Sequence, residues 1–329
     1  MSVVSLGEAL IDFVALEAGV GVGQATGFLK APGGAPANVA AGVARLGKPA
    51  AFLGKVGDDP FGLFLRDTLQ SAGVDTGGLR MDAKARTGLA FVSLTASGER
   101  DFCFFRNPSA DMLYCPEEVD EERVRRGRIF HFGSITLIQE PSRSATLHAV
   151  KVARDAGLIV SFDPNLRPPL WPSLDAARDA IRNALPLAHV VKLSEEELEF
   201  LTGNSSLRTS MRRLMSSEPG IRLLVVTLGA RGATWQTLQG EGAVPAPTVT
   251  AVDTTGAGDG FVAGLLVQML DAGLAPHTLE KLAPNQVEAM VRFACAVGAL
   301  TTTKKGAIPA LPTMEQVQQI LLKKGDTRP

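Results

Sequence analysis

The sequence predicts an α/β protein built on a mostly parallel sheet, with a second, smaller sheet beside it. Two observations carry this. From Ile129 onward, short apolar runs recur roughly every 30 residues with helical stretches between them, the rhythm of βαβ units. These runs are Ile129-Phe130-His131-Phe132, Leu158-Ile159-Val160-Ser161-Phe162, Val190-Val191-Lys192-Leu193 and Leu223-Leu224-Val225-Val226-Thr227. Upstream, the β-rich runs Thr87 to Thr95 and Arg100 to Phe105 meet across Ala96-Ser97-Gly98-Glu99, which reads as a hairpin. With 329 residues, 45% of them hydrophobic, the chain has material for a large core. No repeat, low-complexity tract or linker divides it. One domain over 1–329 is expected, with the small sheet inserted from about 13–32 and 86–112.

Val3-Val4-Ser5-Leu6 reads as a first buried strand, and Asp12 sits where it is ending. The Gly-rich segment to Lys30 suits strands outside the main core, pairing with the hairpin into a sheet that can act as a lid. Pro36 suits the first turn of a small-residue helix running to Arg45-Leu46, and Gly47 stops it. Gly33 and Gly34 permit close backbone approach. Ala50 to Val56 is a second strand, and Gly57-Asp58-Asp59-Pro60 starts a helix from Phe61 to Ala72. Thr234 to Thr237 and Val244 to Val252 read as further strands. Val287 to Leu300 reads as an apolar helix, and Thr313 and Gln316 cap a last amphipathic one. The apolar strands end in polar or Gly-containing turns, where open α/β sheets bind ligands.

Net charge is −1, with no basic patch of the kind nucleic acid requires. The cluster Arg123-Val124-Arg125-Arg126-Gly127-Arg128 follows Glu117 to Glu122, so it reads as a solvated helix aligned with its own dipole. Cys103, Cys115 and Cys295 lack metal spacing and read as small buried hydrophobes in a reducing compartment. The four histidines form no zinc pattern. No signal peptide or membrane-spanning run is expected. The expected setting is soluble and cytoplasmic.

The chemistry centres on Val252-Asp253-Thr254-Thr255-Gly256-Ala257-Gly258-Asp259-Gly260-Phe261. Small residues lead into an apolar helix, so unpaired amides and the positive end of the helix dipole make an anion site. Asp259 is a carboxylate placed where an anion is otherwise welcome. In phosphoryl transfer that placement makes sense, because the amides stabilise the transferred group while the carboxylate takes a hydroxyl proton. Taken alone, the stretch also reads as a capping Asp with glycines that turn the chain. Asn38 likewise has two readings: an amide suited to sugar hydroxyls, or part of a helix kept small for close packing. Neither a P-loop, a protein-kinase signature nor a dinucleotide fingerprint is present.

Three separated stretches resemble the ribokinase-type (PfkB) carbohydrate kinase family. Gly33-Gly34-Ala35-Pro36-Ala37-Asn38 is similar to its first signature and Asp253 to Asp259 to its second, while Ser194-x-x-Glu197 stands where the family usually has Asn-x-x-Glu. Within the family, Ala85-Arg86-Thr87-Gly88, Phe105 to Asp111, and Asp163-Pro164-Asn165-Leu166-Arg167 with Trp171 resemble fructokinases. The resemblance implies a three-layer α/β/α ribokinase-like domain with a β lid, and transfer of the ATP γ-phosphate to the fructose 6-hydroxyl. It implies Asp259 as the base, with Gly256, Ala257 and Gly258 as the anion hole. Asp12, Gly33, Gly34, Asn38, Arg106 and Arg167 would hold the sugar. Thr227, Gly229 and Gly232 would border the nucleotide, and Glu197 would organise Mg2+ through water. It further implies K+ or another monovalent cation near Asp253 and Thr255, and a homodimer formed through the lid. Ser194 departs from the pattern in the magnesium–phosphate network, and Gly260 stands where relatives often carry Ala. The readings that remain beside fructose are another small sugar or sugar acid such as 2-keto-3-deoxygluconate, and a catalytically silent sugar-binding protein on the same fold.

Overall fold

Alternation within the strands decides the layering. In Val3-Val4, Ile129-Phe130, Ile159-Val160, Val190-Val191 and Leu223-Leu224, the first residue enters one apolar core and the second enters another. Successive side chains point to opposite faces, so strands apolar at every position need cover on both sides. The computed structural model describes residues 2–95 and 100–323. Its strands are β1 (Val3–Leu6), β2 (Leu10–Gly19), β3 (Phe28–Gly33), β4 (Ala50–Gly57), β5 (Val74–Asp82), β6 (Leu89–Thr95), β7 (Arg100–Phe105), β8 (Ile129–Phe132), β9 (Ile159–Phe162), β10 (Val190–Ser194), β11 (Leu223–Thr227), β12 (Ala233–Thr237) and β13 (Glu241–Val244).

The large sheet runs β13-β12-β11-β10-β9-β8-β1-β4-β5. It is parallel except where β12 pairs antiparallel with β11 and with β13. Helices Ala35–Arg45, Ala257–Asp271 and Pro284–Thr301 cover one face; Ser142–Asp155, Leu174–Ala184, Glu195–Thr202 and Leu207–Ser217 cover the other. The chain leaves β1 toward β4 on one side and returns at β8 on the other, so the strand order switches there. Such a switch opens a crevice at the carboxyl ends of the strands.

The small sheet runs β3-β2-β6-β7. Phe13 stacks on Phe91 at 4.9 Å and meets Phe61 of the helix Pro60–Ser71 edge-on at 5.7 Å, which fastens this sheet to the main body. The expected turn from Ala96 to Glu99 lies outside the described residues.

Three readings need correction. Val244 ends β13, so Val244 to Val252 is not a strand; Pro245 and Pro247 lack the N–H a ladder requires. Val74–Asp82 is a strand that the sequence hid, because an edge strand carrying Gly77-Gly78 and exposed Asp75 and Arg80 has no apolar run. Of the cysteines only Cys295 is buried; Cys103 is exposed on β7 and Cys115 is half-buried.

The helix Ala257–Asp271 is apolar nearly all round and packs between two others at close range. A Cβ at Gly42 would lie 2.6 Å from Ala263 Cβ, and one at Gly264 would lie 2.8 Å from Val297 Cγ2. Small residues therefore do serve close packing here. Gly260 has the same explanation, since a Cβ there would lie 2.5 Å from Thr301 Oγ1. In urea denaturation, Gly260→Ala should cost about 1–3 kcal/mol by overpacking, outweighing its better helix propensity. In a Thr301→Ala background the same change should be neutral or stabilising.

Candidate active site

The turn after β3 is fixed by what surrounds it. Gly34 has φ +109°, and a Cβ there would lie 2.3 Å from the Glu8 carbonyl oxygen, so only glycine fits. A Cβ at Gly33 would lie 2.3 Å from Asp12 Oδ2, which brings the Asp12 carboxylate against this turn. Glu8 Oε1 accepts from the Ala35 amide at 2.9 Å and Ser5 Oγ donates to the Pro36 carbonyl at 2.7 Å. These bonds orient the helix Ala35–Arg45, whose buried Asn38 points to the far side of the crevice.

What Asn38 meets there is Asp259. Its Nδ2 donates to Asp259 Oδ2 at 2.8 Å, and Asn165 Nδ2 donates to Oδ1 at 3.0 Å. Asp259 lies in the first turn of the helix Ala257–Asp271, behind an N-cap Gly256 at φ +76°. The Ala257 amide donates to the Thr254 carbonyl at 3.2 Å, whereas the amides of Gly256, Gly258 and Asp259 find no backbone acceptor among the described residues. Uncapped amides at a helix N-terminus attract anions. Burial pushes the Asp259 carboxyl up to about 6, aided by Asp163 and opposed by Asn38, Arg167 and Lys192. The carboxylate survives burial because both oxygens accept hydrogen bonds.

Below this loop a charged group occupies the sheet. Lys192 Nζ binds Asp163 Oδ2 at 3.0 Å and would lie 3.2 Å from a Cβ on Gly258. Asp163, Glu197 and Asp259 therefore surround one buried ammonium and favour its charged form. Glu197 accepts from the Ser194 amide and from the Leu166 amide, each at 2.7 Å. Ser194 Oγ accepts in return from the Glu197 amide at 3.1 Å, so Ser194 is a helix cap here. Burial raises the Glu197 pKa, and Lys192 with the two amides opposes that.

The remaining candidates divide by place. Arg167 stays close enough to Asp259 to favour its ionised form. Arg106 is buried and paired with Asp111, and it borders a 200 Å³ cavity with Phe104, Met112, Ile135 and Leu170. Its charge also reaches Glu8, whose carboxyl burial pushes up to about 7. Thr227 Oγ1 donates to the Leu193 carbonyl at 3.3 Å and Thr227 pairs with Ser194 across the strands, while Arg231 of the Gly229–Arg231 turn pairs with Glu195. Asp253 accepts from the Thr255 amide and hydroxyl at 2.9 and 2.7 Å and from the Gly306 amide at 2.8 Å, tying the loop down.

Sequence reasoning did not nominate Glu8, Asp163, Asn165 or Lys192. Lys192 did carry a signal, since a lysine inside an apolar run of a parallel strand has no solvent to reach and needs a partner.

Comparison with known proteins follows the same outline. The profile of the pfkB family of carbohydrate kinases matches residues 1–314. Fructokinase-1 of Zea mays is 51% identical over 321 residues, 98% of this chain and 98% of that one. A crystal structure of fructokinase with bound ATP from Xylella fastidiosa superposes with a TM-score of 0.89 at 36% identity, covering 99% of both chains. A fructokinase double mutant from Vibrio cholerae O395, in fructose, ADP and potassium ion bound form, superposes at 0.86 with 39% identity, covering 97% of this chain and 98% of that one.

Because the folded pKa of Asp259 lies above its ordinary 3.8, ionising it costs stability as pH rises from about 4 through about 6. Asp259→Asn lacks that penalty. At ~1.4 kcal/mol per pKa unit, its stability relative to the wild type should improve by about 2 kcal/mol between pH 4.5 and pH 8, whatever the mispaired amide costs at both values. Urea midpoints at both values read the difference.

Proposed function

The chain belongs to the pfkB family of carbohydrate kinases, and from that premise we propose that it transfers the γ-phosphate of ATP to the 6-hydroxyl of D-fructose, yielding fructose 6-phosphate and ADP. The observation that carries this reading is the Asp259 carboxylate, held by two amides directly beside unpaired helix amides. A proton acceptor and an anion site one residue apart suit an alcohol attacking a phosphoryl group, and little else in the crevice offers both.

Asp259 takes the proton of the 6-hydroxyl as that oxygen attacks phosphorus. The amides of Gly256, Gly258 and Asp259 stabilise charge on the transferred phosphoryl. Ala257 contributes through the turn it closes with Thr254. Asp12, Gly33, Gly34 and Asn38 hold the sugar from one side, with Arg167 and Arg106 from the other. The contact between Asp12 and Gly33 and the approach of Asn38 and Arg167 to Asp259 support that assignment. Thr227, Gly229 and Gly232 border the nucleotide.

For Mg2+, the residues fit an ion that arrives with the phosphates. No His, Cys, Asp or Glu group among the described residues is arranged as a metal cage, so the protein alone does not hold a divalent ion. Magnesium usually retains water and phosphate ligands. Glu197 would hold it through water, and the ion would offset charge on the β- and γ-oxygens. Asp253 and Thr255 are assigned to a K+ site, supported by the loop they tie to Gly306 and by the potassium in the Vibrio cholerae structure.

The small sheet is assigned as a lid and as a dimer contact. Val14 and Leu29 are cross-strand partners and share a face with Leu16 and Asp12; all three apolar side chains are well exposed. An apolar face of this kind suits a second copy of the chain. No helix among the described residues is long and apolar enough to cross a membrane. Three free thiols support a reducing setting, the cytoplasm.

A sugar panel in an ADP-release assay tests the acceptor: fructose should give the highest kcat/KM, and preference for a sugar acid would replace it. Asp259→Ala should lose ~10²–10⁴-fold in kcat while fructose still binds; an active variant refutes the base. Asp12→Ala should raise the fructose KM much more than the ATP KM. Equal effects would remove Asp12 from the sugar site.

A further inference from the structure

Asn165 has φ +46°, the one positive φ of a non-glycine residue among those described. A side chain in that region costs on the order of 1 kcal/mol, least for Asn and Gly, so something must hold it. Several contacts do. Asp163 Oδ1 accepts from the Asn165 amide at 3.1 Å while Oδ2 is pinned by Lys192. Glu197 Oε1 holds the Leu166 amide at 2.7 Å, and the Ser134 amide donates to the Pro164 carbonyl at 3.1 Å. The turn is thus tied to β10, to the helix Glu195–Thr202 and to the loop after β8. All of this delivers one amide to Asp259 Oδ1.

We propose that Asn165 is a positioning residue for phosphoryl transfer, holding the plane of the Asp259 carboxylate against the clamp from Asn38. This rests on Asp259 acting as the base. A carboxylate bound by one amide turns about its Cβ–Cγ bond. Bound by two, from separate elements, it keeps one orientation, with a lone pair on each oxygen left for the acceptor hydroxyl. The plain alternative is that Asn165 only serves the left-handed turn, as Asn often does.

Glycine separates the two roles, because it adopts this φ without strain and brings no amide. Asn165→Gly should keep the fold, because the turn's other ties remain, with a modest loss of stability from the Asp259 oxygen left without its donor. Its kcat should fall by ~10–100-fold, the scale expected for a misplaced catalytic group, with little change in the ATP KM. The acid limb of its kcat/KM profile should move to higher pH, because the lost hydrogen bond favours the ionised carboxylate. The groups facing Asp259 are Asn38 from the helix Ala35–Arg45, Asp163, Asn165 and Arg167 from this turn, and Lys192 from β10 with Glu197 beyond it. Only Asn165 is altered. Asn165→Asp keeps the turn and replaces the donor with a second carboxylate, so it should lose more activity and shift the limb further.

Wild-type kcat and an unmoved acid limb in Asn165→Gly would overturn the proposal, as would a fully active Asn165→Asp. Asp259→Ala run alongside separates the levels. If it is inactive while Asn165→Gly is normal, only the positioning role fails. If it remains active, the base assignment fails first.

Discussion

A single buried carboxylate depends on the rest of the fold more than any other group does. Asp259 is 6% exposed, and it retains hydrogen bonds only because Asn38 and Asn165 reach it from opposite sides. Those residues lie 221 and 94 positions away in the chain. One comes from the helix within the crossover from β1 to β4, the other from the turn after β9. The switch in strand order at β1 opens the crevice between them, and the two-sided apolar sheet makes that geometry rigid. A carboxylate isolated there would simply stay protonated. Clamped by two amides, with Arg167 and Lys192 nearby, the carboxyl is pushed up only to about 6.

The charges below the loop follow the same logic. A buried ammonium among three carboxyls is not a device for stability, since desolvation offsets most of the attraction. Its contribution is geometric. Lys192 fixes Asp163, Asp163 fixes the turn at Asn165, and Glu197 fixes the next amide along. The cap at Ser194 shows how a departure from the family pattern is absorbed: the hydroxyl closes the helix start and leaves Glu197 in place.

Much of this was legible in the sequence, for reasons that differ by residue. The strands of the large sheet were visible because burial on both faces forces continuous apolar runs. Asp259 and Asn38 were visible because each sits beside glycines at a helix start. β5 was not visible, since an edge strand needs only one buried face. The end of β13 was obscured by valines and threonines that favour strand, until Pro245 and Pro247 removed the donors. Asn165 stood inside a recognised stretch, yet nothing local linked it to Asp259; that pairing exists only once β9 and the helix Ala257–Asp271 are brought together. Small residues in the helix Ala35–Arg45 satisfied both readings at once, with Gly42 packing and Asn38 facing the crevice.

The central proposition is that the proposed base and the unpaired amides converge on one point between sugar and nucleotide. The most direct measurement is a crystal structure with fructose and a non-hydrolysable ATP analogue. The account requires the 6-hydroxyl within hydrogen-bond distance of Asp259, and the terminal phosphate over the amides of Gly258 and Asp259. A sugar whose 6-hydroxyl points away from Asp259, or a terminal phosphate bound elsewhere, would contradict it.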